Sequence, residues 1–181
     1  TESYQRYIDS DTGVSPRGIP GFGSGFVHVD SDEHDADGRI TEDPKVRKQM
    51  MDKRLRKQQG VQQKSIPPTF FGSIDYDILL VGWGSTLHVI EEALGNIRDD
   101  HVSFLHFSQV YPLHPQTKEY LENADHIINI EQNATGQFAR LLSQETGIKM
   151  DKSILQYTGF PFSVERLQER IQDVVNELRG T

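Results

Sequence analysis

The sequence contains no cysteine. Disulfides, zinc fingers and iron–sulfur clusters ligated by this chain are therefore excluded, and any redox metal would have to come from another polypeptide. No run approaches the roughly 18 apolar residues a membrane helix needs, and the first residues lack the basic-then-apolar layout of a signal peptide. A cytoplasmic setting without a membrane partner is expected. Positive charge is in deficit, with 19 Lys and Arg against 27 Asp and Glu and a formal charge of -8. Such an acid balance argues against a general nucleic-acid binder. At 181 residues and 35% apolar content, the chain can hold one well-packed domain and something extra, but hardly two full domains.

The charge is unevenly placed. Residues 41–60 carry seven Lys or Arg against three acids, while "DSDEHDADGRITEDP" (30–44) packs seven acids and a histidine into fifteen positions. The opening, "TESYQRYIDSDTGVSPRGIPGFGSG", is polar and glycine-rich without apolar periodicity and begins on Thr1. It reads as an arm, and the whole as a chain cut from something larger. Asp43-Pro44 is a good helix start, because the carboxylate can cap free amides and proline at the first position loses no hydrogen bond. The spacing predicts a helix over about 44–59 with a narrow apolar stripe, Val46, Met50, Met51 and Leu55. Lys45, Arg47, Lys48, Lys53, Arg54, Arg56 and Lys57 occupy the rest. "QGVQQKSIPPTFFGS" reads as a linker, so that 1–72 form arm, basic helix and linker, and 73–181 a compact domain.

Within that domain, strands are predicted at 76–82, 102–107, 126–131 and 153–157, alternating with helices. Ser85 is expected to cap a helix whose Leu87, Ile90, Leu94 and Ile97 share one face, and "QTKEYLENA" (116–124) is a short helix. Ala134, Phe138, Leu141 and Leu142 give the next helix its apolar side. Pro161 and Ser163 open a last helix with the stripe Val164, Leu167, Ile171, Val174, Val175 and Leu178. The alternation implies a three-layer α/β/α fold with a mainly parallel sheet, whose function sits beyond the carboxyl ends of the strands.

Four stretches could carry chemistry. Glu33, Asp35, Asp37, Gly38 and Ile40 match part of a calcium loop, but Pro44 stands where the bidentate glutamate belongs, so a solvated or partner-facing turn is the default. Zinc through His28 and His34 ranks lower. "GWGST" (82–86) offers free amides between strand and helix, either as a nucleotide or phosphate site of a flavodoxin-like module or as a tight turn. "IEQNATGQ" (130–137) would present Glu131, Asn133 and Gln137 at the sheet's carboxyl edge, with Asn133 capping the next helix and Gly136 allowing close packing. His114 in "YPLHPQ" (111–116) has no assignable acid, serine or cysteine partner, and reads as part of a surface loop. A purely structural interaction domain is the third alternative.

"EHDADGRITEDPKVRKQMMDKRLRK", followed at a distance by "INIEQNATGQFARLL", resembles the α subunit of 2-oxoacid:ferredoxin oxidoreductases, in particular the 2-oxoglutarate type. The likeness covers about 18–181: Glu33, His34 and Asp35 stand in the family's Glu-His-Asp segment, and Lys53-Arg54 in its basic helix. "VGWGSTLHVIEEAL" and "EQNATGQ", with Glu131, Asn133, Gly136 and Gln137, look like parts of its transketolase C-terminal-like domain. The resemblance implies a complex that decarboxylates a 2-oxoacid on thiamine diphosphate and Mg, passes electrons through [4Fe-4S] clusters to ferredoxin, and transfers the acyl group to coenzyme A. It implies as partners an upstream pyrimidine-binding domain of the same subunit and a β subunit, in a dimer of heterodimers. Within this chain it implies no catalytic, cofactor-binding or metal residue, and no turnover by the chain alone. It places Glu33, His34 and Asp35 at a domain or subunit contact, and the basic helix against acidic parts of the assembly or an anion such as coenzyme A. "QVYPLHP" is more polar around His114 than the family's aromatic-and-proline loop.

Overall fold

Asp43 opens the first helix, its carboxylate accepting from the Lys45 N–H at 2.8 Å while Pro44 takes the first helical position. This helix, α1, runs Pro44–Gln63 rather than ending near 59, and Gly60 lies inside it. The computed structural model describes residues 4–180 and divides between Lys64 and Ser65 into two compact units. In the first unit, the buried face of α1 takes only Met50 from the apolar stripe. Met50 and Lys53 are buried, whereas Met51 and Leu55 are 40% and 57% exposed. The surface on which the helix rests is the arm. Gly13, at φ +71°, comes so close that a Cβ there would stand 2.3 Å from the Lys53 carbonyl oxygen and 2.7 Å from the Lys57 nitrogen. Only glycine permits that approach.

The acidic stretch closes on itself. His34 and Ile40 form an antiparallel bridge, the Thr41 N–H donates to the Glu33 carbonyl at 3.0 Å, and the Tyr7 N–H ties the arm to the Ala36 carbonyl at 2.9 Å.

The second unit is a five-stranded sheet between two layers of helix. Its strands are β1 (Thr69–Phe71), β2 (Ile78–Trp83), β3 (Val102–Phe107), β4 (His126–Glu131) and β5 (Lys152–Leu155). The order is β1-β3-β2-β4-β5, parallel except for β1, which runs antiparallel to β3. Phe70 and Phe71, expected in a linker, thus belong to an edge strand, and Phe71 stacks on Phe104 at 5.5 Å.

The helices are α2 (Leu87–Ile97), α3 (Thr117–Glu122), α4 (Gln137–Thr146) and α5 (Val164–Arg179). Side chains alternate along the continuous apolar strands. Ile78, Leu80, Phe104, Ile128 and Ile130 face α2 and α5, and Leu79, Val81, Leu105 and Ile127 face α3 and α4. The fold class read from the sequence is the one observed.

Several local expectations give way. A 3-10 turn, Gly84–Thr86, precedes α2, so Ser85 caps nothing and is exposed. Ala134 lies before α4 and is exposed, leaving Phe138, Ala139 and Leu142 as that helix's buried side. Ser163 caps α5 as anticipated, its hydroxyl accepting from the Arg166 N–H. No helix among the described residues is long and apolar enough to cross a membrane.

Candidate functional site

In the first unit, the residues of the Glu-His-Asp segment and of the basic helix meet. Glu33 and Arg54 form two parallel hydrogen bonds, 3.1 Å from Nη1 to Oε2 and 2.6 Å from Nη2 to Oε1, and Arg47 reaches the same carboxylate at 3.5 Å. Hydrogen bonding from Arg54 holds the Glu33 carboxyl below its ordinary range, and the same pair raises Arg54. His34 is 8% exposed, stacked on the Tyr7 ring at 3.8 Å, with Nδ1 at 3.0 Å from the Asp35 carbonyl.

Lys53 is the unexpected member. As part of the basic helix it was expected to face acidic parts of the assembly or an anion, yet it is only 6% exposed within the unit, its Nζ donating to the Tyr7 carbonyl at 2.8 Å and to the Ser15 hydroxyl at 2.5 Å. Burial, with Arg54, Arg6 and Lys57 nearby, lowers its pKa.

The acidic loop does not present a cation site. Asp35 turns its carboxylate onto its own loop, Oδ1 accepting from the Asp37 and Arg39 N–H groups at 2.9 Å each. Those amides, led by Arg39, hold the carboxyl below its usual range. Gly38 supplies φ +88°, and a Cβ there would stand 2.5 Å from the His28 carbonyl oxygen. With Glu33 engaged by arginine and Asp35 by amides, the calcium pattern has lost two of its ligands to internal bonds. No cluster of three His, Asp or Glu able to hold a metal exists among the described residues.

In the second unit, the strand order locates the crevice. The chain leaves β2 for β3 on one side and returns past β2 to β4 on the other, so the loops after β2 and β4 part there, on opposite faces. Trp83 and Glu131 meet across this point, Nε1 donating to Oε2 at 3.3 Å. Glu131 was expected to present its carboxylate at the sheet edge, but it is 0% exposed. Its oxygens accept from Asn133 Nδ2 at 2.5 Å and from the Phe138 and Ala139 N–H groups at 3.0 and 2.9 Å. Burial alone would raise its pKa. The two amides and Asn133 outweigh that and leave the carboxyl below its ordinary value.

Asn133 is therefore not the cap it was read as. Its Oδ1 gathers the Thr135, Gly136 and Gln137 N–H groups at 3.0, 2.8 and 3.4 Å, while Gly136 occupies the cap position at φ +60°. Gly136 serves that left-handed turn rather than close packing, since a Cβ would meet nothing nearer than 3.6 Å. Gln137, the first residue of α4, alone of the group stays exposed. Asn129 is fully buried beside them with neither amide atom in hydrogen-bond geometry.

At "GWGST", backbone and packing account for both glycines. A Cβ on Gly82 would stand 2.5 Å from Ile90 Cδ1 and 2.8 Å from Thr86 Oγ1, and Gly84 adopts φ +58°. The Thr86 hydroxyl donates to the Trp83 carbonyl at 2.9 Å, and His106 Nε2 lies 3.0 Å from the Gly84 carbonyl oxygen. His114 serves its loop, Nδ1 accepting from the Gln116 N–H at 3.2 Å.

Tyr7, Gly13 and Ser15 form part of the first unit's centre, and Trp83 completes the crevice; the sequence reading named none of the four for a role. Glycine next to an arm without apolar periodicity was the available signal for the first three, and the strand order was needed for Trp83.

No protein-family model matches the chain. It is 37% identical over 185 residues to the α subunit of 2-oxoacid:ferredoxin oxidoreductase 2 of Aeropyrum pernix, covering 96% of this chain and 28% of that subunit. The α subunit of oxidoreductase 1 of the same organism is 35% identical over 170 residues, 88% of this chain and 26% of that one. Among solved structures, the 2-oxoglutarate:ferredoxin oxidoreductase from Magnetococcus marinus with 2-oxoglutarate, coenzyme A and succinyl-CoA bound matches at a TM-score of 0.84 and 25% identity. That match covers 94% of this chain and 30% of the other. The chain spans about 28% of the length of the first of these curated relatives. Over nearly its whole length it is thus similar to a part, somewhat over a quarter, of the α subunits of 2-oxoacid:ferredoxin oxidoreductases.

Proposed function

We propose that the chain is the C-terminal part of the α subunit of a thiamine-diphosphate-dependent 2-oxoacid:ferredoxin oxidoreductase of the 2-oxoglutarate type. It works in the complex that forms acyl-CoA and reduces ferredoxin, and contributes architecture rather than reactive groups. The observation that carries this reading is the likeness running through the arm, the basic helix and the sheet domain together, 96% of the chain against one α subunit.

The residues of the two centres agree with a supporting role and do not fit the cofactors. Glu33 is held by Arg54, Asp35 by its loop, and Glu131 is sealed under four donors, so none of these carboxylates is placed to act on a thiamine ring or hold Mg. The chain's lack of cysteine likewise leaves any [4Fe-4S] cluster to another polypeptide. The Glu33-His34-Asp35 segment, with the exposed Phe22 and Phe26 of the arm, each 85% exposed, suits a contact with an upstream domain or a β subunit.

The test is to assemble the chain with the upstream pyrimidine-binding domain and a β subunit, then follow ferredoxin reduction with 2-oxoglutarate, pyruvate and coenzyme A. Activity requiring every component, with the highest kcat/KM on 2-oxoglutarate, is the expected result. Preference for another 2-oxoacid would overturn the 2-oxoglutarate assignment alone. Decarboxylation by the isolated chain would overturn the supporting role.

A further inference from the structure

Beside α1, in the first unit, lies a cavity of about 390 Å³ whose lining includes Arg6, Arg17, Lys53, Arg54 and Lys57 and no carboxylate. Arg54 is paired with Glu33, and the neighbouring Asp9 is taken by Arg56. Among the described residues, Arg6, Arg17, Lys53 and Lys57 enter no ion pair. Four unpaired cations around one concavity repel one another, in a chain whose overall balance is acidic.

We propose that this cavity is an anion site for ligands of the diphosphate class, inorganic or esterified. Lys53 provides a fixed charge at its floor. Two of its three N–H donors are committed to Tyr7 and Ser15, which anchor the ammonium and leave one for a ligand. Arg6 and Arg17 offer planar forks that match phosphate oxygens, and the exposed Lys57 adds a fourth charge to the lining.

The close passage of Gly13 over α1 is what brings the 13–17 segment to the helix, so the site exists only while arm and helix are joined. Recognition is by charge. The aromatic rings in the lining, Tyr7 and His34, are stacked on each other at 3.8 Å, and Arg6 stands over Tyr7 at 4.9 Å, so both rings are already engaged. An acidic peptide would need an extended groove, whereas here the cations converge on one compact volume. Burial and the neighbouring Arg54, Arg6 and Lys57 lower the Lys53 pKa, and Asp9, engaged by Arg56, offsets this only in part. The site does not require the subunit assignment.

The test is calorimetric titration of the 181-residue chain with pyrophosphate at low salt, alongside the double variant Arg17→Ala/Lys57→Ala. Both side chains are exposed and neither enters a hydrogen bond or ion pair among the described residues, so the variant should keep the circular dichroism spectrum of the parent. Saturable one-to-one binding is expected, weakening as salt rises and at least tenfold weaker in the double variant. ADP separates the sources. Binding equal to pyrophosphate assigns the site to the diphosphate group wherever it occurs, and loss of binding restricts it to the free anion. Absence of saturable binding, equal affinity for sulfate at matched ionic strength, an unchanged double variant, or binding of hexaglutamate alone would each overturn the proposal.

Discussion

Glu33 and Arg54 face each other through two parallel hydrogen bonds, 2.6 and 3.1 Å long, and so fasten the acidic loop to the basic helix. The side chain of Glu33 is 12% exposed and that of Arg54 43%, so solvent screens the pair in part. Replacing Glu33 with Gln should cost about 1 kcal/mol of arm-to-helix stability, since a bond to a charged group contributes more than a neutral one but partial exposure discounts it. Faster limited proteolysis within residues 4–43, with the second unit unaffected, is the expected reading.

The same pair sets an acid limb. The Glu33 pKa is depressed in the folded unit below its ordinary 4.5, so its contribution is complete above that pH and disappears as pH falls through the folded value. Asp35 shifts the same way and adds to the limb. Protease susceptibility of the arm, measured with an acid protease, should rise on going below about pH 4.5, and the rise should start from a higher baseline in Glu33→Gln.

Glu131→Gln tests the crevice. One Oε2 atom accepts from Trp83, Asn133 and Phe138, and the other oxygen from Ala139. A glutamine must turn its NH₂ toward donors on one side or the other. At least one buried donor is left unmatched, at about 2–3 kcal/mol. Thermal unfolding should show a midpoint lower by several degrees per kcal/mol, and Trp83 fluorescence should change in the folded state. A variant as stable as the parent would refute the role given to the buried carboxylate.

Gly82 and Gly84 should respond differently to alanine. At Gly82 the new methyl would meet Ile90, Thr86 and Phe104 at 2.5, 2.8 and 3.3 Å, an overpacking that costs about 1–3 kcal/mol. At Gly84 there is open space and only the left-handed φ of +58° to oppose it, about 1–2 kcal/mol, and Asn, which tolerates that conformation, should recover most of the loss. Denaturant midpoints for Gly82→Ala, Gly84→Ala and Gly84→Asn decide it, and recovery by asparagine separates conformational from steric demand.

How far the sequence could be read follows from where each signal comes from. Strands such as "VSFLHF" and "HIINIE" were legible to the residue, because burial on both faces writes a continuous apolar run. The three-residue β1 was hidden behind Pro67 and Pro68, being too short for any period to show. Local capping failed where tertiary bonds took over. The second and third amides of α4, those of Phe138 and Ala139, donate to Glu131 on the preceding strand, so Asn133, the obvious cap by position, orders the loop and reaches only the Gln137 N–H of the helix, at 3.4 Å. Lys53 was illegible for the opposite reason: nothing in a run of basic residues marks the one that lies beneath a glycine-rich arm.

Lys53 offers the sharpest pH test. Burial lowers its pKa below the ordinary 10.5, so the unfolded arm binds the proton more tightly than the folded one. Between the folded value and 10.5 the unfolded form carries more protons, and stability must therefore rise with pH across that interval. Acid limb and alkaline gain have different owners: the first belongs to Glu33 and Asp35, the second to Lys53. Lys53→Met removes the titrating group and leaves the Tyr7 carbonyl and Ser15 hydroxyl without their donor, which costs about 1–3 kcal/mol. Arm stability in the variant, followed by denaturant-dependent proteolysis from pH 8 upward, should be lower throughout and lack the upward slope that the parent shows. A parent whose arm loosens as pH rises toward 10.5, with the variant flat, would mean that Lys53 is stabilised as the cation, against the burial and the neighbouring positive charges found around it.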